Sequence, residues 1–106
     1  MFMQEGLRLR VYLNEGARFV GEPLHEWIMR EATLHELAGA AMVKGVEGFG
    51  CHPGAQGSKV GVAEADTVIL ELVDTPAKIE RFVAAIGSSV KGCMMTMETV
   101  HLKRFD

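Results

Sequence analysis

The sequence is short of the residues that staple, interrupt or electrify a small fold. Its two cysteines, Cys51 and Cys93, are too few for a disulfide scaffold, and reduced thiols are expected. Three prolines and no low-complexity tract leave no linker, so residues 1–106 are expected to form a single domain. Positive charge is not in excess. A net charge of -3 argues against a general nucleic-acid or anionic-membrane binder. No uninterrupted apolar run approaches the ~20 residues of a membrane helix, so no membrane insertion is expected. Glu5, Arg8 and Arg10 stand where a signal peptide needs its apolar core, which makes the cytoplasm the expected compartment.

Apolar residues are plentiful. They make up 48% of the chain before its 12 glycines are counted, against about 45–50% with glycine in a typical domain. Disorder is thereby excluded. So small and apolar a chain favours association with further copies.

Leu7, Leu9, Val11 and Leu13 alternate with Arg8, Arg10 and Tyr12, the period of a strand. A polar connector, Asn14 to Gly21, leads to Pro23 and a helix with Leu24, Trp27, Ile28 and Ala32 on one face; Gly39 is its expected breaker. Ala40 to Phe49 reads as a second strand, bent by Gly45 and Gly48. Thr67 to Val73 reads as a third. Asp74-Thr75-Pro76 then opens a helix whose Ile79, Phe82, Val83, Ile86 and Val90 fall on one stripe. Cys93 to Arg104 closes the pattern as a long strand.

The order βαββαβ predicts an α+β, ferredoxin-like fold: a four-stranded antiparallel sheet with two helices on one face. The third and last strands are apolar on both sides, which predicts cover on the second face as well, from another subunit. Cys51 to Asp66, between the second and third strands, is longer than hairpin loops of about 2–5 residues and is expected to be functional or mobile.

Several chemistries find little support. Cys51-His52 invites a metal reading. Cys93, His25, His35 and His101, however, supply no tight ligand spacing, and no metal set is assigned. No nucleophile–base pair or spaced carboxylate dyad is present, so no catalytic residue is named and the chain is not expected to be an enzyme. Met94, Met95 and Met97 fit core filling. Glu47, Glu71 and Glu98, inside strands, are expected to pair with Arg8, Arg10 or Lys44 across the sheet.

Val46-Glu47-Gly48-Phe49-Gly50, ending a second strand before a long loop, resembles the entry to the T-loop of PII signalling proteins. Gly21-Glu22-Pro23-Leu24, Leu37-Ala38-Gly39-Ala40 and Leu70-Glu71-Leu72-Val73-Asp74 extend the match. In that order and spacing they resemble the PII-like family called domain of unknown function 190, over about Leu7 to Phe105. The resemblance implies a cytoplasmic homotrimer. It would bind a small anion, most simply an AMP- or ADP-like nucleotide, in clefts between subunits. Residues 51–66 would serve as the T-loop that docks a protein target such as a transporter.

Carried over residue by residue, the implied ligand contacts are Gly48, Phe49 and Gly50 at the loop base. Lys91 and Gly92 stand at the phosphate loop, and Lys103 and Arg104 at the end of the last strand. Where PII proteins continue with Arg-Gln-Lys, this chain has Cys51-His52-Pro53. With one or two charges missing there, ADP, AMP, a cyclic nucleotide or another small anion is expected before ATP. The usual T-loop modification tyrosine is absent, since Tyr12 is the only tyrosine. The alternative is a trimeric divalent-metal-binding protein similar to the cation-tolerance relatives of PII, which would use Cys51 or His52.

Overall fold

The computed structural model describes residues 2–44 and 67–105. Strand β1 runs Phe2–Asn14. It starts earlier than the alternation from Leu7 suggests, because Phe2 to Gly6 find ladder partners in the last strand. A two-stranded ribbon follows, β2 (Arg18–Phe19) and β3 (Glu22–Pro23). Its turn residues Val20 and Gly21 both have positive φ, 49° and 83°. That is the type I′ geometry which joins adjacent strands tightly.

Helix α1 spans Leu24–Leu34 and turns Leu24, Ile28 and Ala32 inward. Trp27 packs on Phe19 of the ribbon, with ring centroids 4.7 Å apart. The helix ends before the expected Gly39. Glu36 takes the left-handed conformation at φ 57°, and Leu37 and Glu36 donate their amides to Ala32 and Thr33. This Schellman closure satisfies the last carbonyls without a glycine. Gly39 instead opens strand β4, Gly39–Lys44.

Strand β5 is Thr67–Asp74, and helix α2 is Pro76–Ile86. Thr75 caps α2 by accepting from the Lys78 amide, with Pro76 in the first turn. Both features follow from the residue order, since proline lacks the amide that a first-turn residue cannot use. A single 3-10 turn, Gly87–Val90, leads to strand β6, Met94–Arg104.

The strands lie in the order β4-β5-β1-β6, and every neighbouring pair is antiparallel. This is the ferredoxin-like arrangement, with β1 and β5 central. Leu9, Val11 and Leu13 of β1 and Val68, Leu70 and Leu72 of β5 are buried under Ile28 of α1 and Ile79, Phe82 and Ile86 of α2. Both helices therefore cover one face, as expected from the alternation.

The other face mixes charge with apolar surface. Arg10 pairs with Glu71 at 2.7 Å and Arg8 with Glu98 at 2.6 Å, both from neighbouring strands. The expected cross-sheet pairing of Glu71 and Glu98 is thus present; Glu47 lies outside the described residues. Tyr12, Ile69, Val73 and Leu102 share this face by register and are half-buried. Among the described residues, the Arg8 Nε is buried without a hydrogen-bond partner.

Candidate functional site

The two ends of the sheet carry different chemistry. At one end β1 finishes at Asn14, β4 at Lys44 and β6 begins at Met94. The register sets Lys44 opposite Val68 and Asn14 opposite Thr67. The chain therefore leaves the sheet after Lys44 and re-enters it at Thr67 on this side. Lys44 holds Glu15 at 3.1 Å.

A cleft of about 340 Å³ opens at the same end, lined by Asn14, Gly16, Arg18 and Leu24 together with Ser89 and Lys91. Asn14 shapes its rim. Its side-chain oxygen accepts the Gly16 amide at 2.7 Å, the side-chain-to-backbone turn for which asparagine is suited. Arg18 donates to the Gly21 carbonyl, which ties its guanidinium to the ribbon turn. Gly92, beside Lys91, has φ 85°, a conformation other residues rarely adopt.

At the opposite end, β1 and β6 run on past the end of β5, with Leu7 opposite Asp74 as the last pair of that ladder. Beneath this overhang a cavity of about 280 Å³ is lined by Gln4, Ala38, Gly39, Val73, Asp74, Leu102 and Lys103. Asp74 is the one buried charged residue among those described. It accepts the Ala38 amide at 2.7 Å and the Thr75 amide at 2.6 Å, and Lys78 Nζ stands 3.4 Å away. Burial alone pushes this carboxyl up. The two amides and Lys78 outweigh that and hold it below the ordinary aspartate value. Lys78 also donates to the Glu36 carbonyl at 2.7 Å, joining the start of α2 to the end of α1.

The site residues expected from sequence are thereby separated. Lys91 and Gly92 stand at the first end; Lys103 stands in the cavity at the second. Arg104 follows it in β6, paired in register with Phe2. The ten residues of extended chain from Met94 to Lys103 span roughly 30 Å. Gly48, Phe49 and Gly50 lie outside the described residues, as do Cys51, His52 and the rest of the 51–66 segment.

Arg18, Asn14 and Ser89 were not singled out from sequence, because a connector and a turn acquire meaning only when the fold brings them together. The Asn14-x-Gly16 spacing was the available signal. Cys93 is half-buried, and burial pushes its thiol up, away from reactive thiolate. Among the described residues no group of three or more histidines, cysteines or carboxylates could hold a metal. No described helix is long and apolar enough to cross a membrane.

The sequence profile of DUF190, described as "Uncharacterized ACR", matches residues 6–102. A UPF0166 protein of Methanocaldococcus jannaschii is 32% identical over 91 residues, covering 78% of this chain and 77% of that protein. A UPF0166 protein of Aquifex aeolicus is 26% identical over 95 residues, covering 89% and 90%. Among solved structures, a nitrogen regulatory PII-like protein of Thiomonas intermedia, bound to ADP, AMP and bicarbonate, superposes with a TM-score of 0.67. It is 11% identical and covers 99% of this chain and 100% of its own. At that identity the likeness is one of fold.

Proposed function

The chain belongs to the DUF190 family, and on that premise we propose that it is a PII-like regulatory protein that binds a small anionic ligand between subunits. The ligand is an AMP- or ADP-like nucleotide. The observation that carries this reading is the separation of Lys91 and Lys103 at opposite ends of one sheet. One chain cannot close both around one small molecule. Two neighbouring chains can, if the Lys91 end of one meets the Lys103 end of the next.

Repeated head to tail, such a contact closes into a ring, and the proposed ring is a homotrimer. The uncovered sheet face supports association too, since it carries half-buried apolar side chains and an orphaned donor on Arg8. The PII-like protein of Thiomonas intermedia has this fold with ADP and AMP bound, which supports a nucleotide here.

In this reading Gly48, Phe49 and Gly50 supply backbone contacts, Lys91 and Gly92 meet the phosphate from one subunit, and Lys103 and Arg104 approach from the next. Ligand binding favours one arrangement of residues 51–66 over another, and that preference changes docking to a protein target such as a transporter. Such a switch needs different ligand affinities in the two arrangements. The protein acts by binding rather than turnover, as a single domain in the cytoplasm.

Calorimetric titration with AMP, ADP, ATP and cyclic AMP, with mass by light scattering, tests this. The expected result is one saturable site per chain, preference for fewer phosphates than ATP, and a mass of three chains. Lys103→Ala is expected to weaken binding while leaving the fold intact. A monomer that binds none of the four overturns the reading.

A further inference from the structure

Most cations described in this protein are already committed. Arg8, Arg10, Arg30, Lys44 and Lys78 each sit within 3.4 Å of a carboxylate. Arg18, Arg81, Lys91 and Lys103 enter no ion pair among the described residues, and of these Arg18 and Lys91 together line the cleft at the Asn14 end. They reach it from different elements. Arg18 comes from the ribbon that follows β1, and Lys91 from the turn that precedes β6.

The Asn14 amide and the Ser89 hydroxyl, both half-buried, line the same cleft. The nearest carboxylate in sequence, Glu15, is drawn off by Lys44. The result is a concave surface with two positive charges, two neutral hydrogen-bonding groups and no acid among its lining residues. That composition suits a phosphate oxygen set. Arginine supplies a planar fork of donors and lysine a mobile point charge.

We infer that this cleft is the phosphate subsite, and that Arg18, together with Lys91, Asn14 and Ser89, binds the phosphate group of a phosphorylated small molecule. The inference rests on the anion-binding reading above and adds a residue to it. Arg18 replaces part of the charge missing where Cys51-His52-Pro53 stands. Its hydrogen bond to the Gly21 carbonyl engages one donor and leaves the rest of the guanidinium for the ligand. Arg18 and Lys91 are exposed, so binding should weaken steeply with added salt.

The test is titration of the full chain with ADP and, separately, with inorganic pyrophosphate, for the wild type, Arg18→Gln, Arg18→Lys and Lys91→Gln. Thermal melts verify folding. Arg18→Gln is expected to weaken both ligands about tenfold or more, the effect of losing a charged hydrogen-bond donor. Arg18→Lys should recover part of that loss. Should Arg18→Gln fail to fold, Arg18→Lys and Lys91→Gln carry the test.

Wild-type ADP affinity in the arginine and lysine variants overturns this subsite and leaves the nucleotide reading standing. Pyrophosphate binding that depends on Arg18, without ADP binding, keeps the subsite and removes the nucleotide. Absence of both ligands from the wild type overturns both.

Discussion

The two ends of the sheet differ in what their charges do. At the overhang end a single carboxylate, Asp74, is buried and gathers two amides and a lysine. At the cleft end Arg18 and Lys91 are exposed and answer to no acid among the described residues. The buried charge is satisfied from within, whereas these two cations are left facing outward. The first end thus holds the chain together through its buried carboxylate, while the second leaves its two cations exposed.

Asp74→Ala should break this division most severely. It strands the Ala38 and Thr75 amides and releases Lys78, at a cost of about 2–4 kcal/mol in denaturant unfolding. Ligand contacts at the cleft end should be untouched in whatever fraction remains folded. The pH dependence follows from the same group. Its folded-state value lies below its unfolded value, so its stabilisation is full above the ordinary aspartate range near ~3.9 and disappears as pH falls through the folded-state value. Asp74→Asn should flatten the acid limb of the stability profile; an unchanged limb would assign acid sensitivity elsewhere.

A smaller effect is expected at Gly6. A Cβ there would stand 2.6 Å from Leu102 Cγ and 3.0 Å from the Asp74 carbonyl oxygen. Gly6→Ala should cost about 1–3 kcal/mol through overpacking. Adding Leu102→Ala should return part of that loss, because the closest clash is with the leucine. If the double variant is no more stable than expected from adding its single effects, the close approach is not what the glycine serves.

The smallest effect lies at the cleft end and has the opposite sign. Val20 is a β-branched residue at φ 49°, 84% exposed, in a turn that favours asparagine and glycine. Val20→Asn should stabilise by about 0.5–1 kcal/mol. Strain kept at an exposed position beside Arg18, with nothing packed on it to compensate, would mark the ribbon as shaped by something besides stability. No gain would mean that the turn already relaxes.

Much of the fold was legible because it depends on local periods. The alternation in Leu7–Leu13, the stripe Ile79, Phe82, Val83 and Ile86, and the Thr75-Pro76 cap each dictate their element from side-chain spacing alone. The rest depends on partners distant in sequence. Phe2 to Gly6 show no alternation and become strand only because β6 lies alongside. The end of α1 was misplaced because Glu36 adopts a conformation usually left to glycine. Lys91 and Lys103 were assigned to one ligand by resemblance, and the strand between them carries them to opposite ends of the sheet. Arg18 carried no signal of its own until the fold brought the ribbon and the turn before β6 to one cleft.

The longest ladder, β1 against β6, has a kinetic consequence. Its outermost pair joins Phe2 to Arg104, nearly the whole chain apart, so closing the sheet requires a large loop to be ordered before the contact rewards it. Two such long strands have many registers in which to meet. A slip of one residue would carry Arg8 and Arg10 from the open face to the apolar layer beneath the helices. The same displacement would part them from Glu98 and Glu71. The arginine–glutamate pairs thus serve as proofreading marks for the ladder: weak as bonds, decisive as penalties on a one-residue slip.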